Sequence, residues 1–149
     1  MWNAWNADTD SSFTSGDYRS EGTSKFVKAY FSAATERWLP VYTLPMGSGL
    51  MATILAASTY GVVGVTDATV GAGSWGWVQV EGKASDVQFG AGDAKGSVGH
   101  SVFWGATALG ASDSAYLGLL SQVGQLLQLT NASTTATIYL TGTYATPIA

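Results

Sequence analysis

From Lys25 to Tyr144 apolar residues recur with a period of two, between clusters of glycine, serine and threonine. Only a β-strand puts alternate residues on one face, so this periodicity constrains the fold more than any other feature. It is clearest at 75–83, where Trp77, Gln79 and Glu81 fall on one face and Val78 and Val80 on the other. Gly82 then leads into 85–89, where Val87 and Phe89 alternate with Asp86 and Gln88. After a glycine-rich loop at 90–96, Val98, His100, Val102 and Trp104 share a face opposite Ser101 and Phe103. At 136–144, Ile138 and Leu140 stand against Thr137, Tyr139, Thr141 and Thr143. Further strands are expected at 26–31, 38–43, 51–57 and 60–66, with Pro40 confining the second of these to an edge or bulge. Valine, threonine, tyrosine and tryptophan suit a pleated, half-buried surface. The expected fold is mainly β: a compact antiparallel β-barrel or sandwich with an extended N-terminal arm and at most one short helix.

One segment carries a second period. Tyr116, Leu119, Leu120, Val123, Leu126 and Leu127 follow helical spacing, with Ser112 or Asp113 available as N-cap. Gly118 and Gly124 inside it would each cost a helix about 1 kcal/mol relative to alanine. The same residues also read as two short strands broken near 121–124, and the β reading is taken here.

Two units are expected along the chain. Residues 1–24 show no sustained apolar periodicity; they mix Ser, Thr, Asp and Gly with Trp2, Trp5, Phe13 and Tyr18. Such a segment is too polar to form a core, so 1–24 is expected to be an extended arm and 25–149 the β domain. Trp2 and Trp5, with Phe13 and Tyr18 in support, are the expected partner contacts, because aromatic side chains dominate interface energetics.

Composition excludes several function classes. At 149 residues and 15.4 kDa the chain is expected to form one domain, with room for a modest core. Only 11% of residues are charged, against about 25% in an ordinary soluble domain. A net charge of -4 argues against nucleic acid, which demands clustered Lys and Arg. With no cysteine and a single histidine, thiolate and multi-histidine metal sites are impossible, and no cofactor is expected. The uncharged stretches 38–66 and 114–149 are broken by prolines and glycines in the first, and by Gln122, Gln125, Gln128 and threonines in the second. Neither resembles a membrane span. The N-terminus lacks the basic start and apolar run of a signal peptide, so synthesis without Sec export is expected, and Asn131-Ala132-Ser133 is not expected to carry a glycan.

Catalytic motifs are equally sparse. Gly71-Ala72-Gly73-Ser74-Trp75-Gly76 matches G-x-G-x-x-G, but a strand follows where a phosphate-binding helix is required, so these are turn glycines. Asp8-x-Asp10-x-Ser12 begins like a calcium loop, yet Phe13 and Arg19 occupy the positions that need Gly and Glu. Asp86 and Asp93 lack a nearby carboxylate partner. His100 precedes Ser101, but no G-x-S-x-G elbow exists, and a packed or interface histidine is the simpler reading. Trp75, Trp77 and Trp104 are expected to pack within or across strands.

Trp75-Gly76-Trp77-Val78-Gln79-Val80-x-Gly82, then Gly99-His100-x-Val102-Phe103-Trp104-Gly105 and Ile138-Tyr139-Leu140-Thr141-Gly142, together resemble small capsid decoration (cement, auxiliary head) proteins of tailed bacteriophages. The pattern covers about half the chain. It departs from that family in having His100 where an Asp often follows the glycine, and in its long N-terminal arm. The resemblance implies a non-enzymatic virion protein on the capsid exterior, made in the host cytoplasm. It would bind major capsid protein subunits as a homotrimer or other homo-oligomer. A low-charge surface and the lack of cysteine suit assembly in a reducing compartment. The rival reading is a receptor- or glycan-binding module of a head or tail fibre, whose exposed aromatics stack on sugars.

Overall fold

A computed structural model describes residues 17–46, 49–56, 60–90, 97–105, 107–112, 122–131 and 134–145. Among these residues the chain forms strands and no helix. In chain order the strands are β1 (Tyr18–Glu21), β2 (Ser24–Phe31), β3 (Pro40–Met46), β4 (Gly49–Ile54), β5 (Gly61–Thr66), β6 (Ser74–Gln88), β7 (Ser101–Trp104), β8 (Leu109–Ser112), β9 (Gln122–Asn131), β10 (Thr135–Thr141) and β11 (Tyr144–Ala145).

Strands β2, β4, β3, β5 and β6 close into a barrel, because β6 pairs with β5 and also returns to β2 along Lys25–Phe31. One pairing in that ring is parallel: Tyr30 lies opposite Met51 and Phe31 opposite Ala52. The second half of β6 leaves the ring and pairs with β10, from which an antiparallel sheet continues through β9 and β7 to β8. β6 is 15 residues long, and its ladder is interrupted twice: opposite Lys25/Phe26 and opposite Ala136/Ile138. Each interruption places an extra β6 residue against its partner strand, and bulges of this kind bend a strand and increase its twist. Gly82 (φ 95°) and Asp86 (φ 52°) supply the left-handed backbone at this bend. A β-carbon at Gly82 would also lie 2.8 Å from Ser24 Cα, so only glycine lets β2 approach there.

Two buried clusters follow from this geometry. Val27, Ala29, Phe31, Val41, Val78 and Val80 pack together inside the barrel. Tyr42, Val63 and Val65, whose side chains leave β3 and β5 on the opposite face, pack against Trp104, Leu126, Ile138 and Leu140 of the second sheet. β5 is therefore buried on both sides. That is why 61–66 is a continuous apolar run and not an alternating one.

The sheet begins upstream of the boundary expected at Lys25. β1 pairs with β2 in register Tyr18↔Val27 to Glu21↔Ser24, and the Lys28 amide donates to the Asp17 carbonyl at 2.9 Å. Gly22 (φ 58°) allows the tight reversal between them. β1 escaped the periodicity reading because it borders the sheet and buries little; polar residues suit an edge. The expected histidine-bearing strand also starts later. β7 begins at Ser101, with Val102 and Trp104 buried, whereas Val98 is exposed and His100 half-buried in the turn that precedes it. Gly99 (φ 92°) breaks the alternation there.

The ambiguous segment resolves for residues 122–127, which belong to β9 and not to a helix; the rest, 113–121, lies outside the described residues. Two irregularities explain its mixed period. Against β7 the register jumps from Val102↔Gly124 to Phe103↔Gln122, leaving Val123 extra. Against β10 it jumps from Thr137↔Gln128 to Ile138↔Leu126, leaving Leu127 extra. Two bulges shift the apolar positions out of strict alternation and imitate helical spacing.

The G-x-G-x-x-G string forms the turn into β6, as a strand and not a helix follows Gly73. Gly76 has a packing role: a β-carbon there would lie 2.5 Å from Val70 Cγ2 and 3.2 Å from Phe31 Cε1. Valine is stiff at χ1 and cannot swing aside. Gly76→Ala should lower unfolding free energy by about 1–2 kcal/mol through overpacking, read as a lower urea midpoint. An unchanged midpoint would show that the barrel wall yields at this point.

Candidate functional site

Thr66 ends β5 fully buried, and its hydroxyl donates to the Glu36 carbonyl at 2.6 Å and accepts the Leu39 amide at 3.2 Å. The main chain continues the clamp. Trp38 N–H donates to Thr66 O at 2.9 Å, Thr66 N–H to Leu39 O at 3.1 Å, and Gln88 N–H to Trp38 O at 3.1 Å. Between these bonds Trp38 is held at φ 66°, a left-handed conformation that a bulky residue adopts at a cost of about 1–3 kcal/mol. The Arg37 guanidinium covers one face of its indole, 4.3 Å from the ring centroid.

Trp38 separates two grooves. The first, about 430 Å³, is lined by Glu21, Phe26, Arg37, Asp67, Gln79 and Lys83. The second, about 590 Å³, is lined by Asp86, Gln88, Phe89, Thr134 and Thr135. Asp67, next to the clamping Thr66, is only 6% exposed, and its Oδ2 has no hydrogen-bond partner among the described residues. Burial pushes its pKa up to about 6; the Arg37 charge pulls it down and Glu21 adds a smaller upward push. Gln79 is buried on the groove floor, with its amide nitrogen 2.8 Å from Lys83 O and 3.2 Å from Glu81 O. These contacts brace the bend in β6.

A second surface lies at the barrel seam. Tyr18 and Tyr144 rim a pocket of about 250 Å³ that opens onto Val27, Leu50, Val62 and Val80. Tyr60 packs on Tyr144, with ring centroids 5.5 Å apart. All three tyrosines are exposed, Tyr18 at 71%. Of the four residues expected to contact a partner, Tyr18 is therefore placed on an exposed surface. Trp2, Trp5 and Phe13 lie outside the described residues, as do Asp8 and Asp10.

The remaining sequence candidates among the described residues make local packing or hydrogen-bond contacts. His100 Nδ1 accepts the Ser97 amide at 2.9 Å, and the imidazole closes a turn. Trp75 meets Tyr30 edge-on at 5.3 Å; Trp77 is buried beneath the Lys28 ammonium at 5.3 Å; Trp104 stacks on Tyr42 at 5.5 Å. No group of three His, Cys, Asp or Glu that could hold a metal occurs among the described residues. Nor does any helix among them have the length and hydrophobicity to cross a membrane.

The chain matches no family model, no curated protein and no solved structure. The chemistry of the two surfaces must therefore be read from their own residues. Sequence reasoning passed over Trp38 and Asp67, although a signal was present. Asp67 is the sole charged residue between Arg37 and Glu81, and a lone carboxylate in so long an uncharged stretch has to be accommodated somewhere specific. Tyr60 and Tyr144 gave no comparable signal, since their pairing depends on β11 returning to β5.

Proposed function

We propose that this protein is a non-enzymatic virion structural protein that decorates and stabilises a tailed-phage capsid from the outside by binding major capsid protein subunits. The observation that carries this reading is the cluster of exposed tyrosines around the barrel seam, Tyr18, Tyr60 and Tyr144. Tyrosine gives large, rigid, amphipathic contact at low entropic cost, which is what a docking surface uses. Tyr18 on β1 and Tyr144 on β11 flank the barrel strands β2 and β5 with which they pair, and Tyr60 immediately precedes β5, so the surface is attached to a closed barrel. The resemblance to decoration proteins supports the same reading: its quoted segments fall on β6, which runs from the barrel into the second sheet, and on or beside β7 and β10 of that sheet. Assembly as a homotrimer or other homo-oligomer belongs to this proposal, as does synthesis in the host cytoplasm.

The test is co-sedimentation of purified protein with phage heads that lack it, with imaging of the decorated particles. Wild type should pellet with the heads and appear as surface density at fixed lattice positions. Tyr18→Ala with Tyr144→Ala should weaken that binding at least tenfold, on the usual scale for aromatic anchors, while circular dichroism stays that of a β protein. Heads that take up no protein, or take up the double variant as well as wild type, would remove the basis for the proposal.

A further inference from the structure

We infer, resting on the tyrosine docking surface proposed above, that the mouth of the barrel is a socket for one uncharged aromatic side chain of the partner protein. The whole ring of strands builds this mouth. Val27 from β2, Thr43 from β3, Leu50 from β4, Val62 from β5 and Val80 from β6 line a single pocket of about 250 Å³. Val27 and Val80 belong to the buried barrel cluster, and Leu50 and Val62 pack half-buried against it. The pocket is therefore the barrel interior continued to the surface, and barrel mouths are a recurrent place for ligands. The far end of β2 differs. There Phe31 and Val70 crowd Gly76 so closely that no β-carbon fits, and the interior is filled.

Three observations fix the occupant. The first is size. An apolar cavity of about 150 Å³ takes up benzene, so this one accepts a ring of phenol to indole size, whereas a helix about 10 Å across cannot enter. The second is polarity. The Thr43 hydroxyl donates to the Val62 carbonyl at 3.2 Å, and the Glu81 carboxylate in the wall pairs with Lys25 at 3.1 Å. A charged group that entered would lose its water and find no open counter-charge. The third is the lip. Tyr18 and Tyr144 stand at the opening, with Tyr60 tilted 56° against Tyr144. Aromatic rings favour offset and edge-on contact with other rings, so this lip selects an aromatic over an aliphatic group. The lip also decides where the ring comes from. A protein seated on Tyr18 and Tyr144 covers the mouth, and a void left beneath it would forfeit contacts along four apolar walls. Interface hot spots are aromatic side chains set in such pockets, within a ring of contacts that excludes water.

Small rings test the socket, and phage heads test its source. Phenol added to the full-length protein should shift the methyl resonances of Val27, Leu50, Val62 and Val80. Cyclohexanol, of the same size but not aromatic, should bind severalfold more weakly, and benzoate, which is charged, should leave these resonances in place. Val62→Phe fills the mouth from its own wall. It should abolish the phenol shifts at Val27 and Val80. With Tyr18 and Tyr144 intact, it should also weaken co-sedimentation with heads lacking the protein at least tenfold. If Val62→Phe does not fold, Leu50→Phe fills the same space from β4. Phenol shifts that are absent or map elsewhere, equal binding of cyclohexanol or benzoate, or a filled variant that pellets like wild type would overturn the inference. In that last case, loss of pelleting by Tyr18→Ala with Tyr144→Ala leaves the docking surface standing. Wild type that fails to pellet removes both.

Discussion

Trp104→Ala should destabilise the protein by about 3–5 kcal/mol, whereas Trp104→Phe should cost about 1–2 kcal/mol. Trp104 is fully buried and stacks on Tyr42 with planes 27° apart, at the junction where β7 of the second sheet meets β3 of the barrel. Truncation to alanine leaves a cavity between two layers that are each fixed by their own ladders, so the space cannot close by a small shift. Phenylalanine keeps one ring in the stack and also removes a liability. The indole Nε1 is buried with no hydrogen-bond partner among the described residues, a state that itself costs about 1–3 kcal/mol. Urea unfolding with an unchanged m-value measures both differences. A domain of this size has about 5–15 kcal/mol in total, so the alanine variant should be close to unfolding at 37 °C. A loss below about 1 kcal/mol for alanine would mean that the second sheet docks on the barrel through other residues.

What was legible in the sequence depended on how many faces a strand buries. β10 buries Ile138 and Leu140 and exposes Tyr139 and Thr141, so its alternation was visible at once. The first half of β6 alternates in residue type, yet both faces are buried: Val78 and Val80 in the barrel, Trp77 and Gln79 beneath other elements. Closure of the ring was not legible, because it rests on one parallel contact between Tyr30–Phe31 and Met51–Ala52, with β3 intervening in sequence. No local pattern encodes a crossover of that kind. β9 read ambiguously because bulges at Val123 and Leu127 displaced its period, although the β reading held for 122–127. The Trp38 groove was hidden for a different reason. Its parts come from 21, 37–38, 67, 79–83 and 134–135, segments that meet only after β5 and β6 have paired and β6 has bent. A site assembled by a bend carries no motif, and only the isolated charge of Asp67 gave it away.

That same carboxylate sets the pH behaviour. Asp67→Asn should stabilise the protein at pH 7 by about 2–3 kcal/mol and leave it nearly unchanged at pH 4. Burial raises the Asp67 pKa from 3.8 to about 6 in the folded chain, while the unfolded chain titrates near the ordinary aspartate value. Between about pH 4 and pH 6 the native state therefore holds a proton that the unfolded state has released. Native stability contributed by this group is full below that window and is lost as pH rises through it. Above pH 6 both states are ionised and the penalty stays constant. Asparagine matches the protonated carboxyl in shape and does not titrate in this range, so the difference between variant and wild type should grow from pH 4 to 6 and then level off. Denaturant unfolding of both proteins at each pH unit from 4 to 8 measures this directly. Arg37 provides the control, since its charge is what restrains the rise. In an Arg37→Ala background the levelling should move above pH 6, and the gain from Asp67→Asn at pH 8 should increase. A gain that does not vary with pH would show that folding leaves the Asp67 pKa unraised, and an asparagine variant less stable than wild type at pH 7 would show that ionised Asp67 is a stabilising partner of Arg37.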